Sequence, residues 1–136
     1  MQINSMSNRE KEEKVIYKEL SYKIVGILFE VYNDLGYGYQ EKYYERAVME
    51  CFKESNIKFK NQVMYRVKFK DVEIGKYFLD FLVEDKIVLE LKKGNHFPKR
   101  NIEQVKGYLK VTKKKLAILA NFTANDVKFL RILNIN

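Results

Sequence analysis

The chain has 136 residues, enough for one compact core and too few for two of ordinary size. Hydrophobic residues make up 46% and charged residues 32%, with 10 Tyr and 9 Phe against 6 Gly and a single Pro, which excludes a disordered chain and a loop-rich scaffold. The formal net charge is +8, which favours a polyanionic partner, nucleic acid before membrane, over the plainer alternative of a solvated lysine-rich exterior.

The first residues, MQINSMSNREKEEK, are polar and carry no apolar leader. The most apolar run, YKIVGILFEVY, is too short and too amphipathic to cross a bilayer. The expectation is a cytoplasmic protein without a membrane partner, with 1–136 forming one domain behind a flexible segment at 1–10.

Residues 9–34 carry a helical pattern, with Ile16, Leu20, Ile24, Ile27, Leu28 and Val31 at three- and four-residue steps. Gly36 and Gly38 in NDLGYGY mark a turn. A second helix is predicted from about Gln40 to Ser55, with an apolar stripe of Tyr44, Ala47, Val48, Cys51 and Phe52. Cys51 is the only cysteine, which excludes an internal disulfide and a multi-cysteine zinc site and leaves it as a small core residue.

From residue 59 the period changes to two, and three or four strands separated by turns at KDVEIG and VEDK follow. In VMYRVKFK the alternation puts Val63, Tyr65, Val67 and Phe69 on one face and Arg66, Lys68 and Lys70 on the other. IVLELK is apolar on both faces and reads as a more central strand. KGNHFPKRN is a loop with a solvated His96. Asn101 then caps a helix carried by Ile102, Val105 and Leu109. KLAILANF is a strand reached by a crossover, hence parallel to the strand of Glu90, and the tail NDVKFLRILN closes with a strand or a helical turn. The fold class is therefore α/β: a single domain with a mixed central sheet flanked by helices.

Three charges sit inside apolar strands: Asp80 in YFLDFLV, and Glu90 and Lys92 in VLELK. Burying an unpartnered charge costs about several kcal/mol, so these charges need a partner or a task. Two-residue spacing puts Glu90 and Lys92 on one face, and a turn near EDK brings the strand of Asp80 alongside. Two adjacent carboxylates repel unless a cation lies between them, and Mg²⁺ or Mn²⁺ suits hard oxygen ligands. Lys92 then orients or deprotonates a water, or stabilises charge developing on a phosphate. The alternative is a structural cross-strand ion pair of Lys92 with Asp80 or Glu90. Glu41, in the first turn of the second helix, reads either as a helix-dipole partner worth about 0.3–1 kcal/mol or as a third acid for a metal site.

LGYGYQEKYYERAV resembles the signature of the GxxExxY protein family, with Gly38, Glu41 and Tyr44 at the named positions. That family is similar to, and grouped with, the PD-(D/E)XK nuclease superfamily. Asp80 followed by Glu90-x-Lys92 matches the later motifs in order, NIEQVKGYLKVT resembles the helix that follows, with Gln104 at its polar position, and LAILANF resembles the next strand. The likeness covers about residues 20–122. Its departures are the lysines of VTKKKLA and the loop NHFPKRN, which bear on substrate preference.

The resemblance implies a restriction-endonuclease-like core and a metal-dependent nuclease acting on nucleic acid, with DNA the expected form. Glu41, Asp80 and Glu90 would hold the metal, Lys92 would assist the water, and Gln104 would touch the site or the scissile phosphate. Lys93, Lys99, Arg100, Lys106 and Lys110 are the expected phosphate contacts from a basic segment. The resemblance also implies a homodimer for cutting two strands. The alternative is a non-catalytic module with a nuclease-like fold that only binds nucleic acid or a protein.

Overall fold

Recurring apolar residues close the first helix, α1 (Lys18–Leu35), around a buried stripe of Ile24, Ile27, Leu28 and Val31. The computed structural model describes residues 16–134, so the segment at 1–10 and the predicted helical residues 9–15 lie outside the described residues. Gly36 ends α1 at φ 72°, and its N–H donates to the Tyr32 carbonyl at 2.7 Å. The second helix, α2 (Glu41–Glu54), buries Tyr44, Val48 and Phe52. Cys51 is half-buried beside that stripe; its thiol donates to Glu30 Oε2 at 3.4 Å, and burial and this carboxylate push it up to about 11, which makes it an inert packing residue.

Three strands follow: β1 (Phe59–Phe69), β2 (Val72–Val83) and β3 (Ile87–Lys93). The first hairpin turns on Lys70 and Asp71 alone, both in the left-handed region, so VEIG belongs to β2 and not to the predicted turn. The second turns on Glu84 and Asp85, also left-handed. A register shift between Val67 and Lys68 leaves Ile74 of β2 unpaired near the hairpin end, where Phe69 is 58% exposed.

The third helix, α3 (Lys99–Thr112), starts from Pro98. Asn101 is therefore not its cap: it lies buried in the first turn, and its N–H donates to the Pro98 carbonyl. Strands β4 (Leu116–Phe122) and β5 (Val127–Leu133) complete a five-stranded sheet in the order β1-β2-β3-β4-β5. Only the β3–β4 pair is parallel, as the α3 crossover requires; the tail left open by the sequence is an antiparallel strand.

Helices cover both faces of this sheet. Ile24, Leu28, Tyr44, Val48 and Phe52 pack with Phe81, Leu89, Ile118 and Phe122 on one side. Val105, Tyr108 and Leu109 pack with Leu79, Leu82, Val88 and Leu119 on the other. No helix among the described residues is long and apolar enough to cross a membrane.

Tyr44 joins the two ends of this architecture. Its ring stacks on Phe122 at 4.2 Å between centroids, and its hydroxyl donates to the Gly36 carbonyl at 2.6 Å. Tyr44→Phe, which loses only that hydrogen bond, should lower unfolding stability by about 1 kcal/mol. Tyr44→Ala should cost about 3–5 kcal/mol. Urea titration of both variants checks the difference.

Candidate active site

The β2–β3 ladder is short. Phe81, Leu82 and Val83 pair with Leu89, Val88 and Ile87, and then the strands part. At the next position side chains take over from backbone: the Asp80 N–H donates to Glu90 Oε1 at 2.6 Å, and the Leu91 N–H donates to Asp80 Oδ2 at 2.8 Å. Beyond this fork the rest of β2 pairs with β1, and the end of β3 pairs with β4.

The side-chain alternation also breaks here. Phe81 and Val83 pack under α1 and α2, but Leu79, two residues before Phe81, packs under α3. A regular strand would put Leu79 and Phe81 on the same face. Opposite Asp80 on β1 stands Gln62, with φ 55°, and neither residue is paired in the β1–β2 ladder, which passes from Asn61–Phe81 to Val63–Leu79. Gln62 Nε2 donates to Asp80 Oδ1 at 3.3 Å and to Glu45 Oε2 at 2.8 Å. Asn61 Nδ2 joins the same Glu45 oxygen to the Asp80 carbonyl, at 2.7 and 2.9 Å. Helix α2 thus clamps the fork through Glu45.

Lys92 follows Glu90 by two residues and shares its face; Lys92 Nζ lies 3.8 Å from Glu90 Oε2. Glu90 is buried and Asp80 largely so. Burial drives the Asp80 carboxyl up to about 6, with the Glu45 charge adding to it against the Leu91 N–H and Lys92. Burial and then the Asp80 charge drive Glu90 up to about 8, against the Asp80 N–H and Lys92. One ammonium beyond hydrogen-bond reach leaves this pair short of positive charge, and oxygen donors in that state fit a hard divalent cation.

The structure brings Asp80, Glu90 and Lys92 together. It does not add Glu41, which is exposed in the first turn of α2, and among the described residues no three Asp, Glu, His or Cys side chains are grouped to hold a metal ion. The helical acid that bonds to the fork is Glu45, one turn beyond Glu41, through Asn61 and Gln62.

Gln104 is exposed on α3; its carbonyl accepts a hydrogen bond from the Tyr77 hydroxyl, and no side-chain contact to the fork is formed. Tyr77 itself senses the site, since burial, Tyr65 and the Glu90 charge raise its hydroxyl pKa. Lys93, Lys99 and Arg100 are exposed at the end of the sheet where β3 finishes and α3 begins, whereas Lys106 and Lys110 run along α3 toward its far end. His96 is exposed, and its carbonyl accepts from the buried Asn121 amide.

Sequence reasoning missed Glu45, Asn61, Gln62 and Tyr77. Glu45 carried a signal, as the acid one turn after Glu41; the left-handed Gln62 inside a strand carried none.

The fold is of the restriction-endonuclease-like class, a mixed sheet with helices on both faces. The sequence profile of the PD-(D/E)XK nuclease superfamily matches residues 18–132, and the chain belongs to that superfamily. Its members are nucleases that typically use divalent metals. Among solved structures, the crystal structure of SSO0001 is similar at 14% identity and a TM-score of 0.43, over 85% of this chain and 78% of that one. Comparison with curated proteins gives no match.

Both carboxyls hold protons in the folded state at pH values where the unfolded chain, with Asp near about 3.9 and Glu near about 4.3, has released them. The folded state then binds more protons, so stability falls as pH rises from about 4 to about 8. In EDTA, the urea midpoint of the wild type should drop between pH 5 and pH 8 by more than that of Glu90→Gln. Equal drops would remove the assignment.

Proposed function

We propose that this chain is a metal-dependent nuclease of the GxxExxY group that hydrolyses phosphodiester bonds in nucleic acid, DNA first. The observation that carries the proposal is the fork itself, where buried Glu90 and partly buried Asp80, both with raised pKa values, meet beside one lysine. A purely structural ion pair would not need two acids pressed together, and a simple phosphate-binding surface would be weakened by them.

Asp80 and Glu90 would hold the divalent cation, Mg²⁺ or Mn²⁺. When bound, that ion supplies Lewis-acid polarisation of a phosphate oxygen and a lowered pKa for water. Each acid is aimed by a backbone N–H of the neighbouring strand, so neither rotates away without stranding a buried donor. Gln62, itself held by Glu45, fixes the second Asp80 oxygen. Lys92 orients the attacking water and meets negative charge on the phosphate with its ammonium. Lys93, Lys99 and Arg100 grip the backbone near the fork, and Lys106 and Lys110 extend that contact along α3; Gln104 would reach the phosphate only with substrate in place. A duplex would be cut by two copies acting as a homodimer.

Asp80→Asn and Lys92→Ala should each reduce Mn²⁺-dependent cleavage of DNA by about a hundredfold or more, with the circular-dichroism spectrum and nucleic-acid affinity retained. Undiminished cleavage in either variant rules out this mechanism. Mn²⁺ should also raise the melting temperature of the wild type and not that of Glu90→Gln. A wild type indifferent to Mn²⁺ would favour a non-catalytic binding module.

A further inference from the structure

The turn between α1 and α2 holds aromatic rings in water on a fixed backbone. Gly36 and Gly38 take φ values of 72° and 117°, and the turn is tied down by the Tyr44 hydroxyl on the Gly36 carbonyl and by the Gly36 N–H on Tyr32. From it Tyr37 and Tyr39 stand 46% and 45% exposed, and Tyr43, in the first turn of α2, stands 43% exposed. The Tyr39 ring meets Tyr43 and Tyr44 edge-on at 6.3 and 6.1 Å, so Tyr39 and Tyr43 share one buttressed group with the core, and Tyr37 precedes them on the same turn.

Two ammonium groups accompany them. Lys93 Nζ lies 5.2 Å from the Tyr37 ring centre, and Lys42 Nζ lies 5.3 Å from that of Tyr43. Flat aromatic faces on a rigid support, two of the three with a cation alongside, match the chemistry of an unpaired nucleotide: the base stacks on the ring and the phosphate meets the ammonium. A duplex cannot use such faces, because its bases already stack on one another.

The position relates this group to the fork. Lys92 and Lys93 are consecutive in β3 and project to opposite faces, one beside Glu90 and the other over Tyr37. Helix α2 carries Tyr43 and, two residues on, the Glu45 that clamps Asp80 through Gln62. We propose that Tyr37, Tyr39 and Tyr43, with Lys42 and Lys93, form a stacking platform for single-stranded nucleic acid, so that the substrate of the neighbouring centre contains unpaired nucleotides. This substrate assignment rests on the nuclease reading; the platform itself is tested without it.

The test is fluorescence anisotropy of the full chain in EDTA, where cleavage is off, with labelled oligo(dT), oligo(rU) and a DNA duplex of the same length. Tyr37→Leu and Tyr43→Leu should each weaken binding of a single strand by about fivefold or more, and leave duplex binding within about twofold. Tyr37→Phe and Tyr43→Phe keep the ring and should bind as the wild type does, which separates stacking from a folding defect. The two oligonucleotides distinguish deoxyribose from ribose strands, and the stated loss on either one upholds the platform. Leu variants that bind single strands normally, or that lose duplex binding equally, overturn it. Wild-type cleavage with Mn²⁺ is assayed separately. Cleavage with tyrosine-independent binding sinks the platform alone, whereas tyrosine-dependent binding without cleavage sinks the nuclease reading alone.

Discussion

Two backbone donors on adjacent strands, the N–H groups of Asp80 and Leu91, are each satisfied by a carboxylate where a ladder would have used a carbonyl. Everything else at the site follows from this exchange. A sheet can part its strands in a protein interior only if the freed polar groups find other partners. Asp80 and Glu90 provide them, and are thereby locked in place. The opening of the sheet and the aim of the acids are one event.

That exchange has to be held from outside. Gln62 leaves the regular strand conformation opposite Asp80 and bonds it, and Glu45 on α2 bonds Gln62 and Asn61 together. Both β1 and β2 turn their side chains over at this step, which is why cluster membership switches between Leu79 and Phe81. The two apolar clusters on either face anchor the strands on each side of the irregularity. The carboxylates themselves oppose folding once ionised, since burial disfavours their charged forms. Sites of this kind exchange stability for chemistry, and the surrounding core has to carry the difference.

Much of the site was legible because charges inside apolar strands stand out. Glu90 and Lys92 share a face by simple alternation, and the turn at EDK brings Asp80 opposite. Glu45 was harder to read than Glu41, because it lies one turn deeper, where α2 meets β1 and bonds Asn61, a contact between residues sixteen apart in the chain. Asn101 looked like a cap because its type favours that position, but the fixed φ of Pro98 starts the helix earlier. The unpaired Ile74 opposite Val67 and Lys68 was not foreseen, because a bulge has no marker in an alternating pattern.

Local pattern was enough to set the order of elements, the mixed sheet with its crossover, and the placement of Asp80, Glu90 and Lys92 within it, because hydrophobic period and strand spacing are local properties of the chain. Packing in three dimensions set the rest: the ladder stops after three pairs, Glu45 bonds to the fork, and Tyr37 lies under Lys93. Those outcomes join residues far apart in the chain. They depend on how buried donors and acceptors are shared among packed elements, a balance that no stretch of sequence contains.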